Sequence, residues 1–192
     1  MNEVITKRKK KLTVRDYELM PQGREILQLI DGDFYMTPAP IFKHQEVSKN
    51  IESEFIRFLD KNPVGKIIHS PLDFYVDRFN VVQPDLVYIS KENYRIISER
   101  GIEGPPDIII EILSPSTEEI DLNLKMDLYW RIGVREYWIV NIEKEEIQVY
   151  EIKEDSFKLR KNYRKINNEK IKTPIVPGLE IDLNKVFYYD WL

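Results

Sequence analysis

Ile108-Ile109-Ile110-Glu111-Ile112-Leu113, between Pro106-Asp107 and Ser114-Pro115-Ser116-Thr117, is the stretch on which the fold turns. A run apolar on both pleat faces marks a central strand covered on each side. Successive side chains alternate, so Asp107, Ile109, Glu111 and Leu113 share one face while Ile108, Ile110 and Ile112 share the other. Glu111 therefore faces inward or into a cleft, and a carboxylate there needs a partner, because burying a bare charge is costly.

On the C-terminal side, Ser116-Thr117-Glu118-Glu119 has the form of a capping box, with Ser116 as N-cap and Glu119 at the third helical position. The helix runs to about Ile132, where Gly133 can stop it. On it, Lys125 shares the apolar stripe of Leu122, Leu128, Tyr129 and Ile132, whereas Asn123, Asp127 and Arg131 form the solvated side. Lys125 thus points inward, with Asp121 one turn before it. Glu136 to Asn141 reads as the next buried strand.

On the N-terminal side, Asp85 opens the apolar run Leu86-Val87-Tyr88-Ile89, and Pro84 before it suits a strand start or an edge. Ile67-Ile68, Leu72 to Val76 and Asp85 to Ile89 read as a meander spanning Val64 to Ser90. A long amphipathic helix is expected from about Ile41 to Asp60, with Val47, Ile51, Phe55, Phe58 and Leu59 inward and Pro63 and Gly65 ending it. Before it come a short helix, Thr13 to Met20, with Thr13 as N-cap and Asp16 answering it, and a hairpin. Its strands, Glu25 to Ile30 and Asp33 to Met36, flank the turn dipeptide Asp31-Gly32. Ile142 to Glu146 is a connection to Ile147–Tyr150 and a further strand pair, and Leu179 to Leu183, after Pro177-Gly178, reads as an edge strand. The expected fold is α/β, an α+β mixed sheet: a central mixed β-sheet flanked by helices, with extra N- and C-terminal hairpins. One domain over residues 1–192 is expected, with residues 1–12 a flexible basic arm.

Composition narrows the function classes. With 192 residues and no cysteine, disulfides, thiolate metal sites and cysteine nucleophiles are excluded. No run approaches a membrane span of about 18 apolar residues, and a cytoplasmic protein is expected. The net charge of -4 argues against a general phosphate-coating binder. The two basic clusters, Lys7 to Lys11 and the group Lys158, Arg160, Lys161, Arg164, Lys165, Lys170 and Lys172, read first as a solvated arm and an exposed hairpin, with phosphate contact the lesser reading.

Two strand carboxylates and an inward lysine suit metal-dependent phosphodiester hydrolysis. Asp85, Glu111 and the backbone carbonyl of Ile112 are hard oxygen donors that select magnesium or manganese. Lys125 would hold the attacking water or counter the charge of the transition state. The same spacing also fits a buried Glu111–Lys125 ion pair, joined by Asp121, that merely fixes the helix against the sheet.

Gln83-Pro84-Asp85-Leu86, Pro106 to Thr117, the Asp121, Lys125 and Tyr129 series, and Gly133-Val134-Arg135-Glu136-Tyr137-Trp138-Ile139-Val140 together resemble a bacterial family of restriction endonuclease-like proteins within the PD-(D/E)xK nuclease superfamily. Leu29-Ile30-Asp31-Gly32-Asp33, Met36 to Pro40 and His44-Gln45 resemble the N-terminal half of that family, so the likeness runs from about Thr13 to Leu183. It implies a restriction endonuclease-like core, metal ligands at Asp85 and Glu111, and a nuclease site. The superfamily's usual lysine follows the acidic strand residue by two positions, here Leu113; in this family the resemblance implies its move to Lys125. One departure is Gln28, where the family commonly has a glutamate. It either weakens cation binding or simply faces solvent.

His44 is a candidate phosphate contact or proton shuttle, and equally a hydrogen-bonded helix-start residue. Tyr129 packs in the core with its hydroxyl toward the site, His69 is structural, and Ser114 and Ser116 serve capping. Trp130, Tyr137 and Trp138 are core or interface aromatics rather than a base-stacking platform. The expected function is a metal-dependent endonuclease acting on DNA, as a homodimer when both strands of a duplex are cut. The rival is a non-catalytic regulatory or interaction module on the same scaffold. A glycosidase pair is disfavoured because it gains nothing specific from Lys125.

Overall fold

The computed structural model describes residues 10–21 and 26–190. Most of the expected basic arm, residues 1–12, and Glu25 at the start of the first hairpin lie outside the described residues. Val14–Glu18 forms α1, preceded by Thr13, whose backbone N–H donates to Asp16 (2.8 Å). Strands β1 (Ile26–Ile30) and β2 (Asp33–Thr37) form the expected hairpin. Asp31 and Gly32 take φ of 51° and 82°, as a two-residue turn requires. Helix α2 (Phe42–Leu59) follows and buries Val47, Ile51 and Phe55.

Next come β3 (Gly65–His69), β4 (Phe74–Asp77), β5 (Asn80–Val82) and β6 (Leu86–Ser90), then the short β7 (Ile97–Ser98) and β8 (Gly101–Ile102). Strand β9 (Ile108–Ile112) is buried throughout. After it, a π-helical segment, Ile120–Lys125, runs into α3 (Met126–Arg131). Strands β10 (Glu136–Asn141), β11 (Glu146–Ile152) and β12 (Phe157–Arg164) are followed by β13 (Lys170–Ile171), β14 (Ile181–Asp182) and α4 (Leu183–Val186).

The central mixed sheet has the order β12-β11-β10-β9-β6-β3. In it β9 runs parallel to β10, with Glu111 opposite Ile139, and antiparallel to β6, with Ile110 opposite Leu86. A parallel neighbour requires a crossover, and the π-helix with α3 supplies it. A second sheet, β2-β1-β5-β4-β8-β7, gathers the N-terminal hairpin with β4 and β5.

The alternation along β9 builds two cores. Ile108, Ile110 and Ile112 pack with Val47, Ile51 and Phe55 of α2 and with Trp138. Ile109 packs on the opposite face with Leu128, Tyr129, Tyr137 and Ile139, against residues of the second sheet such as Phe74 and Val82. Tyr129 and Tyr137 meet edge to face at 5.2 Å, and the ring centroids of Phe55 and Tyr88 are 5.8 Å apart.

Four expectations are corrected. The segment from Val64 to Ser90 is no single meander: β3 pairs with β6, while β4 and β5 join the second sheet. Each strand goes where its own apolar face finds a core, and local sequence does not say which core. Ser116 does not cap a helix; Ser114 Oγ lies 3.0 Å from both Ser116 Oγ and Thr117 Oγ1 in a turn, and the Thr117 and Glu118 amides donate to the Ser114 carbonyl. The hydroxyls satisfy one another there. The helix is π-helical in its first part, although it ends where expected, at Arg131 with Ile132 as its C-cap. The tail strand shrinks to β14, paired with β13 outside both sheets, because Leu179, Ile181 and Leu183 turn into the α2 core.

Candidate active site

Asp85 stands on the connection between the two sheets, immediately after β5 and Gln83-Pro84, and Glu111 stands one residue from the end of β9. Antiparallel pairing of β6 with β9 sets these two positions side by side. The Ile112 amide donates to Asp85 Oδ2 (2.8 Å), and the Asp85 amide approaches Glu111 Oε2 (3.4 Å). Each carboxylate is thus held by the backbone that carries or adjoins the other.

From the crossover helix, Lys125 Nζ donates to Glu111 Oε1 (2.9 Å) and lies 3.1 Å from Asp121 Oδ1. The Tyr129 hydroxyl donates to the same Oε1 (2.9 Å). Lys125 faces inward as its stripe predicts, and Asn123, Asp127 and Arg131 are exposed. The Tyr137 hydroxyl donates to the Asp121 carbonyl (3.0 Å) within the π-helical segment. A π-turn widens the helix by one residue per turn and commonly marks a functional stretch. Here it brings both Asp121 and Lys125 into the core.

The side chains differ in access. Glu111, Asp121 and Lys125 are 2 to 3 % exposed, whereas the Asp85 side chain is 21 % exposed. Burial lifts the Glu111 carboxyl to about 8, against the opposing Lys125 ammonium and with Asp121 and Asp85 adding to the rise. Burial alone would lower Lys125, but Glu111 and Asp121 outweigh it, so the ammonium is held above its ordinary value. The Tyr129 phenol is pushed well up by burial and by Glu111.

His44, near the start of α2, reaches over the end of β9. Its Nε2 lies 3.2 Å from Asp85 Oδ2 and 3.1 Å from the Ile112 carbonyl oxygen. Burial would lower its pKa; the bond to Asp85, that carboxylate's charge and the Ile112 carbonyl raise it by more. Its Nδ1 is buried with no hydrogen-bond partner among the described residues. One nitrogen therefore already touches two hard oxygens of the set expected for a cation.

Gln28 does not face solvent. It is 2 % exposed, and its Oε1 accepts from the Gln83 amide (3.1 Å), so it braces the loop that delivers Asp85. Among the described residues no group of three His, Cys, Asp or Glu side chains forms a ready-made metal cage. The donors present are two carboxylates and one carbonyl, an incomplete set of the kind magnesium completes with water. With Asp85, Glu111 and Asp121 ionised against Lys125, and His44 neutral, the cluster carries two uncompensated negative charges. A divalent cation matches that charge; without one, protons on Glu111 and His44 relieve it.

In front of Asp85 and His44 opens a cleft of about 1280 Å³, also lined by Ser48, Glu52, His69 and Gln83. Glu111 and Lys125 lie behind this wall. Asp73 ties the cleft together, accepting from the Tyr17 hydroxyl and from Gln83 Nε2 (both 2.8 Å). An acidic residue inside the otherwise apolar run Leu72 to Val76 is its one sequence signal. His69, expected to be structural, is an exposed cleft residue paired with Glu52 (2.7 Å). The late basic cluster is an exposed region whose cations are paired, for example Lys161 with Glu169 and Lys172 with Glu180. Among the described residues no helix is long and apolar enough to cross a membrane.

A family model described as "Uma2: Putative restriction endonuclease" matches residues 14–184. Among solved structures, a protein of Anabaena variabilis ATCC 29413 described as a "putative nuclease belonging to DUF820" is similar, with a TM-score of 0.73 and 17 % identity. The alignment covers 92 % of this chain and 97 % of that one, and at this identity it speaks for the fold. Comparison with the curated proteins gives no match.

Proposed function

Because this chain belongs to the Uma2 family of restriction endonuclease-like proteins, whose model spans residues 14–184, we propose that it is a metal-dependent nuclease hydrolysing phosphodiester bonds of DNA. The observation that carries the reading is the junction of Asp85, Glu111 and Lys125 at one end of the central sheet, with Asp85 open to the cleft. Asp85, Glu111 and the Ile112 carbonyl would hold magnesium or manganese, which when bound polarises a phosphate oxygen and makes a water more acidic.

The chain's own groups do the rest. Lys125, anchored by Glu111 and Asp121, presents a fixed positive charge behind the carboxylates, where negative charge grows on the phosphorus oxygens during attack. Tyr129 and Lys125 together fix Glu111 Oε1, leaving Oε2 on the Asp85 side. His44 must yield Asp85 Oδ2 and the Ile112 carbonyl, or share them, when those oxygens serve a cation. A homodimer, offering a cleft to each strand of a duplex, belongs to the same reading.

The test compares magnesium- and manganese-dependent DNA cleavage by the wild type and by Asp85→Asn. The partly exposed Asp85 changes with little effect on folding, and cleavage is expected to drop by at least about a thousandfold. Lys125→Met should act as strongly but also cost stability, about 3–5 kcal/mol, because it leaves Glu111 and Asp121 buried without their counter-charge. Undiminished cleavage by Asp85→Asn refutes the assignment. The rival reading, an interaction module on this scaffold, draws on the pairing of the late basic cluster with carboxylates; calorimetry with manganese separates the two, since that module gives no heat dependent on Glu111.

A further inference from the structure

The cleft holds a second histidine–carboxylate pair that the proposed chemistry leaves unused. His69 Nδ1 lies 2.7 Å from Glu52 Oε1, with side chains 62 % and 20 % exposed. An exposed pair of this kind contributes little to stability. Its placement, however, is specific. His69 ends β3 and faces Leu86 across the sheet, and the next amide, that of Ser70, donates to the Asp85 carbonyl (2.9 Å). On the opposite wall, His44, Ser48 and Glu52 recur at one-turn spacing along α2 and all line the cleft.

At about 1.5 Å rise per residue, Glu52 stands roughly 12 Å along α2 from His44. Along this wall of the cleft, then, the histidine that touches Asp85 and the glutamate that holds His69 are separated by about the length of one to two nucleotides of an extended strand. Glu52 fixes one ring nitrogen, which leaves Nε2 on the far side of an exposed imidazole. With both nitrogens protonated the ring donates in both directions, to a carboxylate on one side and to a phosphate oxygen on the other. Among the described residues the other lysine and arginine lining the cleft are already engaged: Lys49 pairs with Glu46, and Arg100 with Glu18 and Glu103.

We propose that Glu52 and His69 form a phosphate subsite, in which the His69 imidazole, held by Glu52, binds a backbone phosphate one or two nucleotides from the bond that is cut. The subsite rests on the nuclease reading and deepens it: it gives an acidic protein a specific grip on the substrate strand beside Asp85. His69 acts on binding and leaves the chemical step to the carboxylate site.

The test measures steady-state cleavage of a defined DNA oligonucleotide, single-stranded and duplex, with manganese, for wild type, His69→Ala and Glu52→Gln. Both variants should raise KM about tenfold and change kcat less than about twofold, with unfolding midpoints within a degree or two of wild type. A scan with single neutral methylphosphonate linkages then locates the contact. One linkage near the cut should weaken wild-type cleavage by a similar factor and have no further effect on His69→Ala. Unchanged KM in both variants, or equal sensitivity of wild type and His69→Ala to every linkage, overturns the subsite while the nuclease reading stands. If the wild type cuts neither form of DNA with manganese or magnesium, the nuclease reading falls and takes the subsite with it.

Discussion

At Glu111 a single carboxylate meets an ammonium, a phenol and a backbone amide inside a core that hydrophobic packing alone would fill with an isoleucine. Its carboxyl is held at about 8 in the folded chain against 4.5 for an unperturbed group, mainly because burial penalises the charge. The folded state therefore binds a proton that the unfolded state has lost, so stability is fully present below about pH 4.5 and declines as pH rises through about 8. Glu111→Gln removes this dependence and leaves Lys125 paired with Asp121. In chelator, its stability relative to wild type should climb between pH 5 and 8 by at most about 1.4 kcal/mol per pH unit. Urea midpoints at the two pH values check this, and parallel profiles would contradict it. Cleavage should be lost in the same variant, the usual opposition between stability and function at a buried polar site. The alternation along β9 made the inward direction of Glu111 legible. The contact of His44 with the Ile112 carbonyl was not, because 68 residues separate the two and no local period links them.

Among the elements, the crossover helix shows where pattern reading reaches and where it stops. The stripe containing Lys125 was correct because a π-turn keeps residues four and five apart on one side, so Asp121 and Lys125 still pair. Ser116 does not cap because its hydroxyl, like that of Thr117, bonds to Ser114, a choice among equivalent hydroxyls that only the closed turn makes. Edge strand β3 depends on Gly65, where an added Cβ would stand 2.5 Å from the Tyr88 hydroxyl oxygen and 2.6 Å from the Ile89 carbonyl oxygen. Gly65→Ala must push β3 away from β6, at a cost of about 1–3 kcal/mol. Gly133, at φ 88° with nothing within 4 Å of an added Cβ, should cost only about 1 kcal/mol as alanine, through backbone strain alone. Thermal melts should rank the two variants in that order. Gly65→Ala should also raise KM for DNA, since β3 ends at His69 beside Asp85; an unshifted KM would separate β3 from the cleft.

For the whole molecule, the site lies where two sheets are joined by Gln83-Pro84-Asp85, with Gln28 bracing that joint from the second sheet. Under the proposed nuclease reading, a cation held by Asp85 and Glu111 would tie the connection to β9 and so bind the folded chain in preference to the unfolded one. At a hundredfold excess over Kd, magnesium or manganese should add about 2.7 kcal/mol to the unfolding free energy. For a domain of this size that is a rise in Tm of roughly 5–10 °C by calorimetry. Asp85→Asn should lose the rise; its persistence there would remove Asp85 from the cation site. The sequence by itself determined the buried strand, the hairpin at Asp31-Gly32, the long amphipathic helix and the inward aim of Glu111 and Lys125. Each of these follows from a period of two or 3.6 residues or from turn chemistry acting over a few neighbours. Only the tertiary structure decided that β4 and β5 leave the central sheet, that Gln28 turns inward, that His44 arrives over the end of β9 and that Glu52 meets His69. Those outcomes depend on which distant surface each element buries, an energy set by long-range packing and invisible to any local window of the chain.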